Sequence, residues 1–150
     1  MQTLFRYNWQ VRDEWFDWCK QLSHDELVKN RTGGMKSILR TFVHIIDAEQ
    51  SWINGLNGKE EYHYRFEDYE TLEDIIKLSE DCRPSVEEFV ERWSPEIDEK
   101  QFYDFTYGEV IRHVIAHEIH HIGQLSIWAR ELDKKPISAN LIRRGLARNQ

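Results

Sequence analysis

Four long segments with helical periodicity constrain the fold of this chain more than any other feature of its sequence. We predict helices over residues 3–22, 35–56, 71–93 and 107–133. In the first segment, aromatic side chains recur at steps of three and four residues, which gives a helix one apolar face. No segment alternates apolar and polar residues well enough to predict a strand. The sequence therefore predicts an all-α protein folded as an antiparallel four-helix bundle.

The segments between these helices predict how the chain connects them. Residues 59–70 are charged and aromatic without a clear period, so we expect a loop there, long enough to be a crossover connection. Residues 94–105 predict a second long loop. Pro84 lies inside the third helix and should kink or split it, because proline lacks the N–H that a helix interior requires.

Composition limits the class of protein. The chain has 150 residues, of which 40% are hydrophobic, and we expect a single domain over residues 1–150. The net charge of -7 argues against binding to nucleic acid, which needs a basic face. We find no apolar run long enough for a membrane span, no signal sequence and only two cysteines, without a CxxC pair. These features predict a cytoplasmic protein with reduced thiols and no membrane association.

The fourth helix is rich in histidine, with His113, His117, His120 and His121. His117 and His121 are one helical turn apart, on the side of the helix that we expect to lie near the core. Buried imidazoles need polar partners, and neutral imidazole is a good ligand for zinc, nickel or iron. Histidines at this spacing also occur on helices without metal, so a metal site needs a third ligand.

The second helix offers that third ligand in His44, which lies in an apolar run. Its helical face carries small side chains, namely Ser37, Thr41, Ala48, Ser51 and Gly55. Small residues would leave a cavity beside the imidazole, although a core histidine with satisfied hydrogen bonds is an equally good interpretation. If His44, His117 and His121 share one ion, further coordination positions stay open to water or substrate, as in catalytic sites.

The fourth helix also contains the H-E-x-x-H pattern of zinc peptidases, in His117, Glu118 and His121. In such peptidases both histidines bind zinc and the glutamate is the general base. Here no histidine follows His121, Glu131 is too far along the same helix, and no edge strand is predicted to align a peptide. The peptidase is therefore the least favoured alternative, and Glu118 is expected to orient a ligand or pack between helices instead.

Several segments resemble the DinB-like family, also called the DinB/YfiT family, of metal-dependent enzymes. The combination of "VHIIDAE" in the second helix with "HEIHHIGQ" in the fourth is the specific part, and "YNWQVRDEWFDW" and "ELDKKPISANLI" resemble the family's first helix and its ending. Ile122 stands where the family often has arginine. The resemblance implies a four-helix bundle, frequent dimers, and a three-histidine site for a divalent metal, often nickel or zinc. Its ligands map to His44, His117 and His121.

The resemblance also implies a range of functions, because some relatives transfer low-molecular-weight thiols or isomerise thiol adducts. We expect a metal-dependent hydrolase or thiol transferase acting on a small molecule such as a thiol adduct. Asp47, Glu118 and His120 are candidates for proton transfer. The alternatives are a non-catalytic metal-binding stress-response protein and a helical protein without metal. We expect Gln124 to orient a ligand or substrate, and His24 and His63 to be solvated.

Overall fold

A computed structural model describes residues 1–146 of the chain, and most of these residues are helical. The α-helices are α1 (Gln2–Cys19), α2 (His24–Val28), α3 (Ile38–Leu56), α4 (Leu72–Glu91), α5 (Pro95–Asp98) and α6 (Tyr107–Glu131). A 3-10 turn spans Phe66–Asp68, and β1 (Gln101–Phe102) and β2 (Phe105–Thr106) form a small antiparallel hairpin. The all-α prediction is confirmed. Within residues 1–146, no helix has the length and apolar character to cross a bilayer.

The four long helices pack in a ring in the order α1, α4, α3, α6. Helices α3 and α6 run antiparallel, since the start of α6 lies at the end of α3, where the Tyr107 hydroxyl donates to the carbonyl of Leu56. Helices α3 and α4 run parallel, because Gln50 bonds Ser85 midway along both, and Leu56 lines a cavity with Phe89 near both C-terminal ends. Two parallel helices in sequence require a connection that returns along the bundle.

The crossover connection, residues 57–71, makes this return along the outer face of α3. The backbone N–H of Tyr64 donates to Asp47 midway along α3, and the guanidinium of Arg40, near the start of α3, lies 4.6 Å from the ring centre of Phe66. The connection therefore runs opposite to α3, as the prediction of a crossover required. It covers the side of α3 next to His44.

The predicted helix boundaries hold to within about three residues, and the clear error concerns the second loop. Helix α4 continues across Pro84 over Leu72–Glu91, so of the two effects predicted for the proline, a kink or a split, the split does not occur. The buried face of α4, which includes Cys82 and Val86 on either side of the proline, holds the helix in the core. Residues 94–105 are not a plain loop, since they contain α5 and the hairpin. Ser94 caps α5 by accepting from the N–H of Ile97, a signal that the sequence carried.

The start of α3 shows how a positive φ angle moves a boundary. We predicted a helix from residue 35, but Lys36 has φ 74° and the helix begins at Ile38. Ser37 is the N-cap, and its hydroxyl accepts from the N–H of Arg40 at 3.2 Å. The turn before α3 therefore lies against the bundle, and Gly34 in this turn reaches the histidine-rich part of α6.

Two apolar clusters form the core, and a polar layer separates them. One cluster contains Trp15, Phe42 and Leu125, and the other contains Phe5, Ile53 and Ile111. The layer between them consists of Arg12, Glu49, Ser79 and Glu118, each at most 2% exposed. We call these four residues the buried ionic layer. It places a charged group on each of three helices at the centre of the bundle.

Candidate metal centre

Three imidazoles meet where α3 crosses the middle of α6. His44 comes from α3, and His117 and His121 come from α6. One ligand atom from each residue lies within 4.8 Å of the other two, and the Nε2 atoms of His44 and His117 are 2.9 Å apart. In residues 1–146 this is the one group of three or more histidine, cysteine or acidic side chains close enough to hold a metal ion. The helical turn between His117 and His121 and the antiparallel packing of α3 produce the arrangement.

The cluster lies at the edge of the core. His121 is buried at 7% exposure, and His44 and His117 are half-buried. Burial and, to a smaller extent, the neighbouring imidazoles of His121 and His44 together lower the pKa of His117 to about 4. Burial also lowers the pKa of His44 and of His121. All three rings are therefore neutral at neutral pH, the state in which imidazole offers a lone pair to a cation.

Gln124 orients one of these rings. Its Oε1 atom lies 2.7 Å from His121 Nδ1, and its amide nitrogen lies 3.2 Å from His120 Nε2. An oxygen can only accept, so the proton of His121 sits on Nδ1 and its Nε2 is free to bind a metal. Gly34 packs against this amide, and a Cβ at that position would collide with Gln124 Oε1. The prediction that Gln124 orients a ligand thus has a structural basis in its contact with His121.

Four of the small residues around His44 make specific contacts in α3 or with neighbouring segments. Ser37 caps α3, Thr41 donates to the carbonyl of Ser37, Ser51 donates to the carbonyl of Tyr62, and Gly55 packs under Phe102. One cavity, of about 320 Å³, is lined by Gln50, Tyr64 and Cys82 among others. The small residues near His44 therefore cap α3 and admit neighbouring segments of the chain.

Glu118 lies in the buried ionic layer and is not part of the histidine cluster. Its two carboxylate oxygens accept from Arg12, at 2.8 Å from Nε and 2.7 Å from Nη2. Burial raises the pKa of Glu118, and the guanidinium of Arg12 opposes that rise. A peptidase base would have to leave this ion pair. The arrangement fits the other expectation for Glu118, that it packs between helices.

The sequence analysis did not identify Arg12 or Glu49. Arg12 donates to both oxygens of Glu49, at 3.2 and 3.0 Å, and Trp9 donates to the same carboxylate at 3.0 Å. The sequence did contain a signal for Arg12, because this residue lies on the same helical face as the aromatic residues of α1, three residues after Trp9 and four before Phe16. A charged residue at a core-facing position indicates a buried partner of opposite charge.

The other candidate residues lie on either side of the cluster. His120 is exposed and contacts Gln124. His113 is also exposed, and its ring centre lies 5.7 Å from that of Trp52 in an edge-to-face arrangement. Asp47 lies one turn beyond His44 on α3 and contacts the crossover connection. His63, which we expected to be solvated, is exposed but bonded, since its Nδ1 lies 3.1 Å from Asp47 Oδ2.

Comparisons with known proteins agree with the resemblance found in the sequence. A model of the DinB family matches residues 1–146. The uncharacterized protein YizA of Bacillus subtilis (strain 168) is 47% identical over 153 residues, an alignment that covers 97% of this chain and 96% of the relative. The similarity extends across the helices that carry all three clustered histidines.

Proposed function

The chain belongs to the DinB family, and on that premise we propose that it is a divalent-metal-dependent enzyme that acts on a small molecule. His44, His117 and His121 are the proposed ligands. The observation that carries the proposal is the convergence of three neutral imidazoles, whose ligand atoms lie within 4.8 Å of one another. Three nitrogen donors fit zinc or nickel, and they leave at least one coordination position for water or substrate.

A metal in such a site lowers the pKa of a bound water or thiol, which is the chemistry that hydrolysis and thiol transfer share. The protein supplies the orientation. Gln124 fixes the tautomer of His121, and the packing of α3 on α6 sets the distance between His44 and His117. Neither cysteine supports an alternative nucleophile, because both thiols are buried and burial raises the pKa of Cys19 to about 12.

A small substrate is favoured over a peptide. Peptidases align an extended substrate against an edge strand, and the strands of residues 1–146 are two residues long and lie at the end of the bundle, before α6. Individual side chains flank the half-buried cluster at both ends. Trp52 and His113 lie towards the start of α6, and His120 and Gln124 lie further along it. These groups suit a ligand of a few atoms around the metal.

The proposal is tested by turnover of protein that carries no histidine tag and is loaded with Zn²⁺ or Ni²⁺. We expect hydrolysis of p-nitrophenyl acetate, or transfer of glutathione to 1-chloro-2,4-dinitrobenzene, and loss of that activity in His44→Ala. His24→Ala, which removes an exposed histidine from α2, is the matched control and should keep the activity. A protein that binds metal but catalyses neither reaction would instead support a non-catalytic metal-binding role.

A second copy of the chain is the protein partner that we propose. The outer face of α6 exposes Ile119 at 44% and Ile127 at 59%, with Gly123 midway between them and open space around it. A two-fold axis at Gly123 would pair Ile119 of each copy with Ile127 of the other, so the stripe is self-complementary. Light scattering should report a dimer that Ile127→Lys disrupts and Ile142→Lys, at another exposed isoleucine, does not. A monomeric wild type contradicts the proposal.

A further inference from the structure

The crossover connection holds one histidine against α3, the helix that carries His44. Ser51 donates to the carbonyl of Tyr62 at 3.0 Å, and the N–H of Tyr64 donates to Asp47 Oδ1 at 2.7 Å. His63 lies between these two anchored residues, so its backbone is fixed on both sides. Asp47 and Ser51 follow His44 by one and two helical turns on the same face of α3. The ring of His63 therefore lies over the face of α3 that carries His44.

Both nitrogens of the His63 ring have polar partners. Nδ1 lies 3.1 Å from Asp47 Oδ2 and 3.3 Å from the Ser51 hydroxyl, and Nε2 lies 2.9 Å from Glu61 Oε1. Two carboxylates facing the two nitrogens of one ring favour the doubly protonated imidazolium. Hydrogen bonds to Glu61 and then to Asp47 raise the pKa of His63, whereas burial lowers the pKa of each clustered histidine.

The His63 side chain is not needed to hold the crossover connection in place. Asp47 Oδ1 and Ser51 already make the contacts to the backbone of the connection, and they leave Asp47 Oδ2 for the ring. The side chain of His63 is 57% exposed, and Glu61, which covers its Nε2, is 84% exposed. An exposed carboxylate moves aside easily, because a water molecule can replace it. Nε2 is therefore accessible to a substrate that displaces Glu61, while Nδ1 is held by the half-buried Asp47.

We propose that His63, oriented by Asp47, is the proton donor for the reaction at the three-histidine site. The inference rests on the proposed function and adds the general acid that it lacks. Neutral and charged histidines in one site are suited to different roles, the neutral ones to bind a cation and the charged one to protonate a leaving group. Asp47 is a positioning residue, since it acts through His63.

In the hydrolysis of an ester, His63 would give one proton to the departing oxygen. The attacking water forms a bond to the carbonyl carbon, and its proton passes to the solvent. As the bond between carbon and the departing oxygen breaks, that oxygen takes the electron pair and accepts the proton from His63 Nε2. The neutral imidazole keeps its Nδ1–H on Asp47 and regains a proton at Nε2 from water. No oxidant or reductant is needed.

The first test uses the metal-free protein and does not depend on activity. NMR titration should place the pKa of His63 above its ordinary value of 6.5. Asp47→Asn and, separately, Glu61→Gln should lower it, each by removing a facing carboxylate. Glu61 is exposed, so Glu61→Gln is informative even if Asp47→Asn does not fold. A His63 pKa at or below 6.5, or one that neither variant changes, overturns the proposal.

The second test compares esters with good and poor leaving groups on the Zn²⁺-loaded protein. A proton donor matters most when the leaving group is poor, so His63→Gln should reduce kcat/KM for phenyl acetate about 100-fold and that for p-nitrophenyl acetate much less. His24→Gln is the matched control, and metal content should be the same in all three proteins. Equal losses on both esters, or no loss, overturn the role of His63 alone. A wild type that transfers glutathione but hydrolyses neither ester also overturns the role of His63 alone. A wild type that catalyses neither hydrolysis nor glutathione transfer overturns the proposed function and His63 with it.

Discussion

Helix α6 contributes neighbouring residues to two polar groups with opposite properties. Glu118 belongs to the buried ionic layer, in which the guanidinium of Arg12 bonds both carboxylates. His117, the residue before it, belongs to a cluster whose Nε2 atom faces another Nε2 atom at 2.9 Å, where at most one nitrogen can carry a proton. The first group is complete within the protein. The second would be completed by the cation that we propose, and this difference is our ground for treating the first group as structural and the second as functional.

We expect the largest effect on the free energy of unfolding from a substitution that breaks the buried ionic layer. Arg12→Met would leave Glu49 and Glu118 buried without a cation, which should lower the free energy of unfolding by about 3–5 kcal/mol. Urea unfolding of the metal-free protein measures this loss. Arg83→Met is the control, since Arg83 bonds Asp13 at the surface and its loss should cost about 1 kcal/mol or less. Equal losses in the two variants would show that the buried ionic layer contributes no more to stability than a surface ion pair does.

Adding metal should have the next largest effect. Zn²⁺ in 100-fold excess over its dissociation constant should raise the free energy of unfolding by about 2.7 kcal/mol, because it binds the folded state. His44→Ala should abolish this gain while changing the stability of the metal-free protein by about 1 kcal/mol or less. Paired unfolding curves with and without Zn²⁺ test both statements. A gain that persists in His44→Ala would contradict the ligand set.

The contact that orients His121 should have a smaller effect on metal affinity. Gln124→Leu removes the acceptor of the Nδ1–H, and loss of such a partner typically weakens metal binding about 10–100-fold. Isothermal titration with Zn²⁺ gives the dissociation constants. His120→Gln serves as the control, because it changes the exposed neighbour of Gln124 and leaves the bond to His121 intact. Unchanged affinity in Gln124→Leu would mean that Gln124 does not set the tautomer.

Gly34→Ala provides an indirect version of the same test. Its added Cβ would push the flexible end of Gln124 away from His121 without removing the amide, and Gly34 has φ 47°, which alanine tolerates poorly. We expect weaker Zn²⁺ binding than in the wild type, but stronger than in Gln124→Leu. Gly58→Ala, at a glycine with φ 69° and open space, controls for backbone strain alone. If both glycine variants weaken binding equally, the contact with Gln124 is not the cause.

The last effect is the pH dependence of the metal-free protein, which solvent screening reduces because His117 is half-exposed. The pKa of His117 falls from 6.5 to about 4 on folding, so the unfolded chain binds more protons between these values. This group therefore makes the free energy of unfolding rise with pH from about 4 to 6.5. The difference in stability between wild type and His117→Asn across this window isolates the contribution. A difference that stays constant, or changes in the opposite direction, contradicts the lowered pKa.

The sequence predicted the helices and the pairing of His117 with His121 because both follow from local spacing. Thr71 and Thr106, each with an acidic residue three positions later, form complete capping boxes at the starts of α4 and α6. The pairing of His117 with His121 likewise follows from one helical turn. That His44 meets them depends on how α3 packs on α6, and the family resemblance contributed as much to that expectation as did the small residues near His44.

The features that the sequence did not predict depend on contacts between distant segments. Arg12 and Glu118 are 106 positions apart, and no local pattern joins them. His63 lies in a segment without periodicity, and its role follows from the return of the crossover connection along α3 to Asp47. The bonded partners of a loop histidine become apparent only when the path of the loop is known.

Metal analysis of protein purified without a histidine tag tests the central claim most directly. Inductively coupled plasma mass spectrometry should find about one divalent ion per wild-type chain, as expected for one three-histidine site. His44→Ala should retain almost none, and His24→Ala should match the wild type. If His44→Ala holds as much metal as the wild type, the three imidazoles do not form the metal centre.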